Sequence, residues 1–113
     1  MTQEDRQLLL ADLCARLPYN VICEILLIKV ELKADYIKYL QKDTTFQIRP
    51  YLRLMSSMTE KEKEEYHRLC DSYYGIYFDT AESIDWLNKK MFDYRGLIPK
   101  GLAIEAPEGM YKY

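Results

Sequence analysis

Glycine and proline are scarce, four of each in 113 residues, and that scarcity removes one class of site at once. A phosphate-cradling loop needs closely spaced glycines and a Ser or Thr directly after its lysine. The nearest approach, YRGLIPKG at residues 94–101, has glycine only at 96 and 101, and no hydroxyl follows Lys100. Histidine is rarer still, His67 being the only one. With Cys70 it forms an H-x-x-C pair, which could hold zinc only if Cys14 and Cys23 converged on it. There is no C-x-x-C pair, and nothing local sets a base beside a thiol for nucleophilic catalysis. The sequence therefore assigns no metal site, no cofactor and no catalytic residue.

Long hydrophobic runs are missing too. The longest aliphatic run covers residues 25–28, against the ~20 residues a membrane-spanning helix requires. The opening MTQEDRQ lacks the basic and apolar regions of an export signal, so the expectation is a cytoplasmic location with no membrane partner. Three cysteines, an odd number, fit reduced core thiols in such a compartment. A net charge of −2 supplies no global basic field for nucleic acid. Charge is nonetheless uneven: residues 29–53 carry six Lys/Arg against three acids, and residues 54–88 carry three against eight.

What the chain does have is globular composition, 49% hydrophobic and 30% charged. A single domain over 1–113 can bury roughly 65% of its unfolded surface. Residues 2–17 predict a helix with Thr2 as N-cap and Leu9, Leu10, Leu13, Cys14 and Leu17 as its apolar stripe. Residues 21–30, VICEILLIKV, are β-branched and apolar at both parities, which predicts a central strand. Shorter alternating segments at 35–41 and 44–49 complete a three-stranded antiparallel meander, ended by Pro50. A capping box, TEKE at 59–62, predicts a surface helix over 60–71 that docks by Tyr66, Leu69 and Cys70. SYYGIYF at 72–78 reads as a fourth strand, with Gly75 marking a bulge or a close backbone approach. From DTAE at 79–82 a helix runs to about residue 92, with Ala81, Ile84, Leu87 and Met91 on one face. Beyond it the chain is irregular but too apolar for a solvated terminus, so residues 92–106 are expected to pack on that helix and the sheet. The fold class is α+β: an N-terminal helix over a small twisted antiparallel sheet, for which an SH3-like barrel is one form, with two further helices and an ordered C-terminal tail.

Three stretches, LCARLPYNV at 13–21, RPYLRLMSSMTEKEKEEY at 49–66 and FDYRGLIPKGLAIEAPEGMY at 92–111, resemble a family of short uncharacterised proteins of Bacteroides and related gut bacteria. Many of these are carried on phages or mobile elements. The chain departs from that pattern with Asn20 in place of glycine, Leu54 in place of proline, and Lys90 and Met91 where relatives often carry histidines. The resemblance implies an origin and brings no catalytic residue with it.

FDYRG, residues 92–96, is the most specific motif, and two readings of it stand. In the structural one, Phe92 and Tyr94 pack on the core, Arg95 pairs with an acid such as Asp93, and Gly96 takes a conformation that other residues avoid. In the functional one, Trp86, Tyr94 and Arg95, with Tyr51 and Arg53, form an aromatic and arginine face that anchors a protein partner. A small non-catalytic protein-interaction module is the leading expectation. A nucleic-acid-binding accessory protein, its eleven tyrosines stacking on bases, is the alternative, and an enzyme with an unrecognised site is third.

Overall fold

The computed structural model describes residues 1–111; Lys112 and Tyr113, the end of the expected single domain, lie outside the described residues. Its architecture is α+β. Helix α1 (Gln3–Arg16) begins where Thr2 Oγ1 accepts the Asp5 N–H at 3.0 Å, relieving one of the unpaired donors of a helix start. Leu9 and Leu13 on its inner face are buried with Val21, Cys23 and Leu52 of the sheet side. Leu10 and Leu17 are half-buried, and Cys14 is exposed. A short 3₁₀ turn (Leu17–Tyr19) then ends on Asn20 at φ 59°, a left-handed position that asparagine tolerates as glycine would.

The expected central strand is a hairpin. Strands β1 (Ile22–Ile25) and β2 (Ile28–Glu31) pair antiparallel from Ile22↔Glu31 to Ile25↔Ile28. Only the first half of the 21–30 run is therefore internal. The sheet order is β2-β1-β3-β6, with β3 (Arg49–Leu52) antiparallel to β1 and β6 (Ile104–Glu105) parallel to β3. Among the described residues the sheet is open, with β2 and β6 at its edges, so the strands form neither the all-antiparallel meander nor, among those residues, an SH3-like barrel. Pro50 lies inside β3 rather than ending it. Pairing with β6 starts only at Tyr51, so one side of β3 at Pro50 requires no ladder donor.

Residues 35–41 are helical, not a strand. Helix α2 (Ala34–Lys42) buries Ile37 and Leu40, three apart on one face, and leaves Tyr39 outside. Its N-cap is Lys33, without a capping hydrogen bond, so the usual start signal is absent from the sequence. Helix α3 (Glu60–Leu69) has the predicted capping box: Thr59 Oγ1 accepts the Glu62 N–H, and a Glu62 carboxylate oxygen accepts the Thr59 N–H. SYYGIYF is a second hairpin, β4 (Asp71–Tyr73) and β5 (Ile76–Phe78), with Gly75 in its turn at φ 77° rather than at a bulge. Helix α4 (Ala81–Lys89) is capped by Thr80 with Ser83. It ends before residue 92, because Met91 turns to φ 64°. Ala81 is exposed, so the buried part of its predicted face is Leu87 and Met91. Among the described residues the fold thus has four α-helices, one more than expected.

Past α4 the chain is packed, as its apolar content predicts. Phe92, Leu97, Leu102 and Ala103 are buried, and β6 adds to the sheet. The Tyr111 hydroxyl donates to the Tyr51 carbonyl at 2.7 Å and accepts the Ile22 N–H at 3.0 Å.

Of the three free cysteines only Cys23 is buried; Cys70 is half-buried. Burial, with the Asp12 carboxylate adding to it, pushes the Cys23 thiol up to about 12, where almost no nucleophilic thiolate exists at neutral pH. A maleimide is expected to label Cys14 rapidly on the folded protein and Cys23 only after unfolding, as read by peptide mass spectrometry. Equal labelling of both under native conditions would contradict this core.

Candidate functional site

FDYRG turns out to be the clasp of the fold. Asp12 and Arg16, four apart on α1, are both 0% exposed and joined at 3.0 Å. The second Asp12 oxygen accepts from Arg95 at 2.8 Å, so Arg95 pairs across the fold with Asp12 and not with neighbouring Asp93. Arg16 also donates to the Phe92 carbonyl at 2.6 Å and to the Asn88 carbonyl at 3.5 Å. Tyr94 lies beneath both guanidiniums, 5.5 Å from Arg16 and 4.5 Å from Arg95, while its hydroxyl donates to Asn88 Oδ1. Asp93 is buried and accepts the Leu97 and Ile98 N–H groups at 2.8 and 2.9 Å. Gly96, at φ 75°, permits that tight return.

The five residues expected to form one interaction face are spread over different tasks. Tyr51 is buried. Arg53 makes a two-pronged contact with Glu62 at 2.8 and 2.9 Å and covers the Phe92 ring at 4.1 Å. That guanidinium holds the Glu62 carboxyl below the usual carboxylate range. Trp86 is a half-buried strut, stacked between Tyr66 at 5.8 Å and Phe92 at 5.7 Å. Tyr94 and Arg95 belong to the α1 clasp.

His67 and Cys70 have other partners as well. The His67 ring stacks on Tyr77 at 3.8 Å, and Cys70 Sγ lies 4.0 Å from Asp79 Oδ1. Among the described residues no group of three or more His, Cys, Asp or Glu side chains is placed to hold a metal ion. Asp79 also accepts from the Tyr66 and Ser83 hydroxyls; burial and this bond push the Tyr66 phenol up. Ser83 is fully buried and also accepts the Thr80 N–H. These contacts fix the base of the second hairpin between α3 and α4.

Two surfaces that the sequence did not single out hold apolar side chains in water. The first is the β1–β2 turn. Leu26 and Leu27 have φ of 52° and 65° and are 87% and 89% exposed. Positive φ at both central residues is the demand of a type I′ turn, normally met by Asn-Gly. Leucine there costs roughly 1–2 kcal/mol per residue, and the exposed side chains recover nothing by packing. Beside this tip runs an open groove of about 880 Å³, walled by Leu9, Ile25, Phe46, Ile48 and Leu102 and edged by the Glu24–Arg49 pair at 2.7 Å. The second surface is the β4–β5 hairpin, where Tyr73, Tyr74, Ile76, Tyr77 and Phe78 are all exposed. A signal for it existed in the sequence: five large apolar residues around Gly75, bounded by Asp71 and Asp79. The Leu-Leu turn had none.

Comparison with known proteins gives no name to either surface: no family model, no curated protein and no solved structure matches this chain. No helix among the described residues is long and apolar enough to cross a membrane.

Proposed function

We propose that this protein is a small non-catalytic interaction module that binds a protein partner through the leucine tip of its first hairpin and the groove beside it. The cytoplasmic location and the phage or mobile-element origin implied by the family resemblance are part of the same proposal. One observation carries it: Leu26 and Leu27 occupy a turn that disfavours them, in water, where they contribute nothing visible to the fold. Strained positions concentrate at sites that act, and exposed leucines beside an apolar groove suit a protein surface.

The double variant Leu26→Asn, Leu27→Gly separates function from stability. It restores preferred turn chemistry, so folding should gain about 1–2 kcal/mol in urea melts, the strain relieved less the entropy that glycine adds to the unfolded chain. The same variant should fail to retain a partner that the native protein captures from host lysate. A variant that still captures that partner, or that is less stable than the native chain, would count against the reading.

A further inference from the structure

We infer that the outward face of the β4–β5 hairpin is a docking strip for a cationic polypeptide segment rich in arginine and lysine, an inference that rests on the interaction-module reading but on a different element. The register pairs Asp71 with Phe78, Ser72 with Tyr77 and Tyr73 with Ile76. Side chains alternate along a strand, and paired residues share a face. Asp71, Tyr73, Ile76 and Phe78 therefore share one face, and Ser72 and Tyr77 share the other. Tyr77, itself exposed, is stacked on His67 of α3, so its face is the one toward α3 and the Tyr73 face is the one turned away from it. Tyr74, in the turn at φ 50°, is 88% exposed, its ring 4.4 Å from that of Tyr73.

An isolated two-stranded hairpin is marginal in water. This one is held through its inner face by a continuous line of rings, Tyr77, His67, Tyr66, Trp86 and Phe92, ending on the Arg53 guanidinium. The outward rings take no part in that line. They are exposed, Tyr73 and Tyr74 packed edge to face against each other, and no other strand pairs with either hairpin edge among the described residues.

Charge selects the partner. The segment that contains the hairpin, residues 54–88, carries eight acids against three bases, and Asp71 lies on the outward face itself. Among the described residues Glu64, Glu65, Asp71, Glu82 and Asp85 form no ion pair. An arginine or lysine meets both features together: its cation lies over a tyrosine face while the field of these carboxylates attracts it. Exposed rings can also stack on single-stranded bases, but the same carboxylates repel phosphate, so nucleic acid is disfavoured. An extended cationic segment can in addition donate main-chain hydrogen bonds to a free hairpin edge.

The test is fluorescence anisotropy with the full chain and three labelled probes: a peptide of alternating arginine and serine, its glutamate counterpart, and single-stranded oligothymidine. The arginine peptide should bind, more weakly as salt rises, and the other two should not. Tyr74→Asn places asparagine before Gly75, a favoured type I′ pair, so the hairpin persists while the ring is lost. Together with Tyr73→Ser it should weaken binding about fivefold or more, the scale of exposed cation–π contacts. Asp71→Asn with Glu82→Gln should weaken binding and flatten the salt dependence. Equal binding of the arginine and glutamate peptides, tighter binding of oligothymidine, or an affinity unchanged in the tyrosine variant would each overturn the inference. Partner capture through Leu26 and Leu27 is read separately, so failure here leaves the module reading standing, and failure there is recognised by its own variant.

Discussion

Deleting residues 97–113 is expected to abolish soluble expression or to leave a chain without a cooperative melt. The truncation removes Leu97 and Leu102, both buried, together with strand β6 and the Tyr111 hydroxyl contacts to Ile22 and Tyr51. Two buried leucines alone are worth about 3–6 kcal/mol at roughly 1.5–3 kcal/mol each. A domain of this size has only about 5–15 kcal/mol in total. Loss of β6 also uncovers β3 at Tyr51 and Leu52, turning an internal strand into an edge open to association. Leu97→Ala offers a milder version, with an expected cost of about 2–5 kcal/mol for truncating a core leucine. A truncated protein melting where the full chain melts would show that the tail is not part of the fold, and would free its apolar residues for a partner.

Asp12→Ala should be the most damaging single substitution, at about 3–5 kcal/mol, the range for removing one member of a buried ion pair. Arg16 would keep its full charge at 0% exposure with the Phe92 and Asn88 carbonyls and the Tyr94 ring to face it but no acid. Arg95 would lose the acid that ties the FDYRG segment to α1. Asp12→Asn keeps an acceptor oxygen while losing the charge, so it should recover part of the loss. Replacing Asp12 and Arg16 together by apolar residues should cost less than Asp12→Ala, because no unpaired charge is left behind. Urea melts of the variants read these differences directly. A loss below about 1 kcal/mol for Asp12→Ala would be that of an exposed pair and would contradict the clasp.

Features closed by neighbours in sequence were legible from the sequence. Thr2 and Thr59 cap their helices through hydrogen bonds to residues three positions on, so a short motif contains both partners. Helix α3 was readable in the same way, its thin apolar edge matching the half-buried Tyr66, Leu69 and Cys70. Composition alone indicated that the C-terminal tail is packed. Helix α2 escaped because Lys33 gives no start signal and its tyrosines and isoleucine imitate strand chemistry; the burial of Ile37 and Leu40 overrides that preference.

The amino-acid sequence by itself determined the α+β class, the capped helices and the need to bury the tail, because local hydrogen bonds and total apolar content settle those. Tertiary structure alone decided three other features. Asp12 and Arg95 meet across 83 positions, a pairing no local pattern encodes. β6 joins β3 in parallel, which only a distant return of the chain allows. The run at 21–30 folds at Leu26-Leu27 although neither residue favours a turn, because antiparallel pairing of the flanking strands and the junction of β1 with β3 outweigh the local strain. That last choice put two leucines into water, and with them the surface on which the proposed function rests.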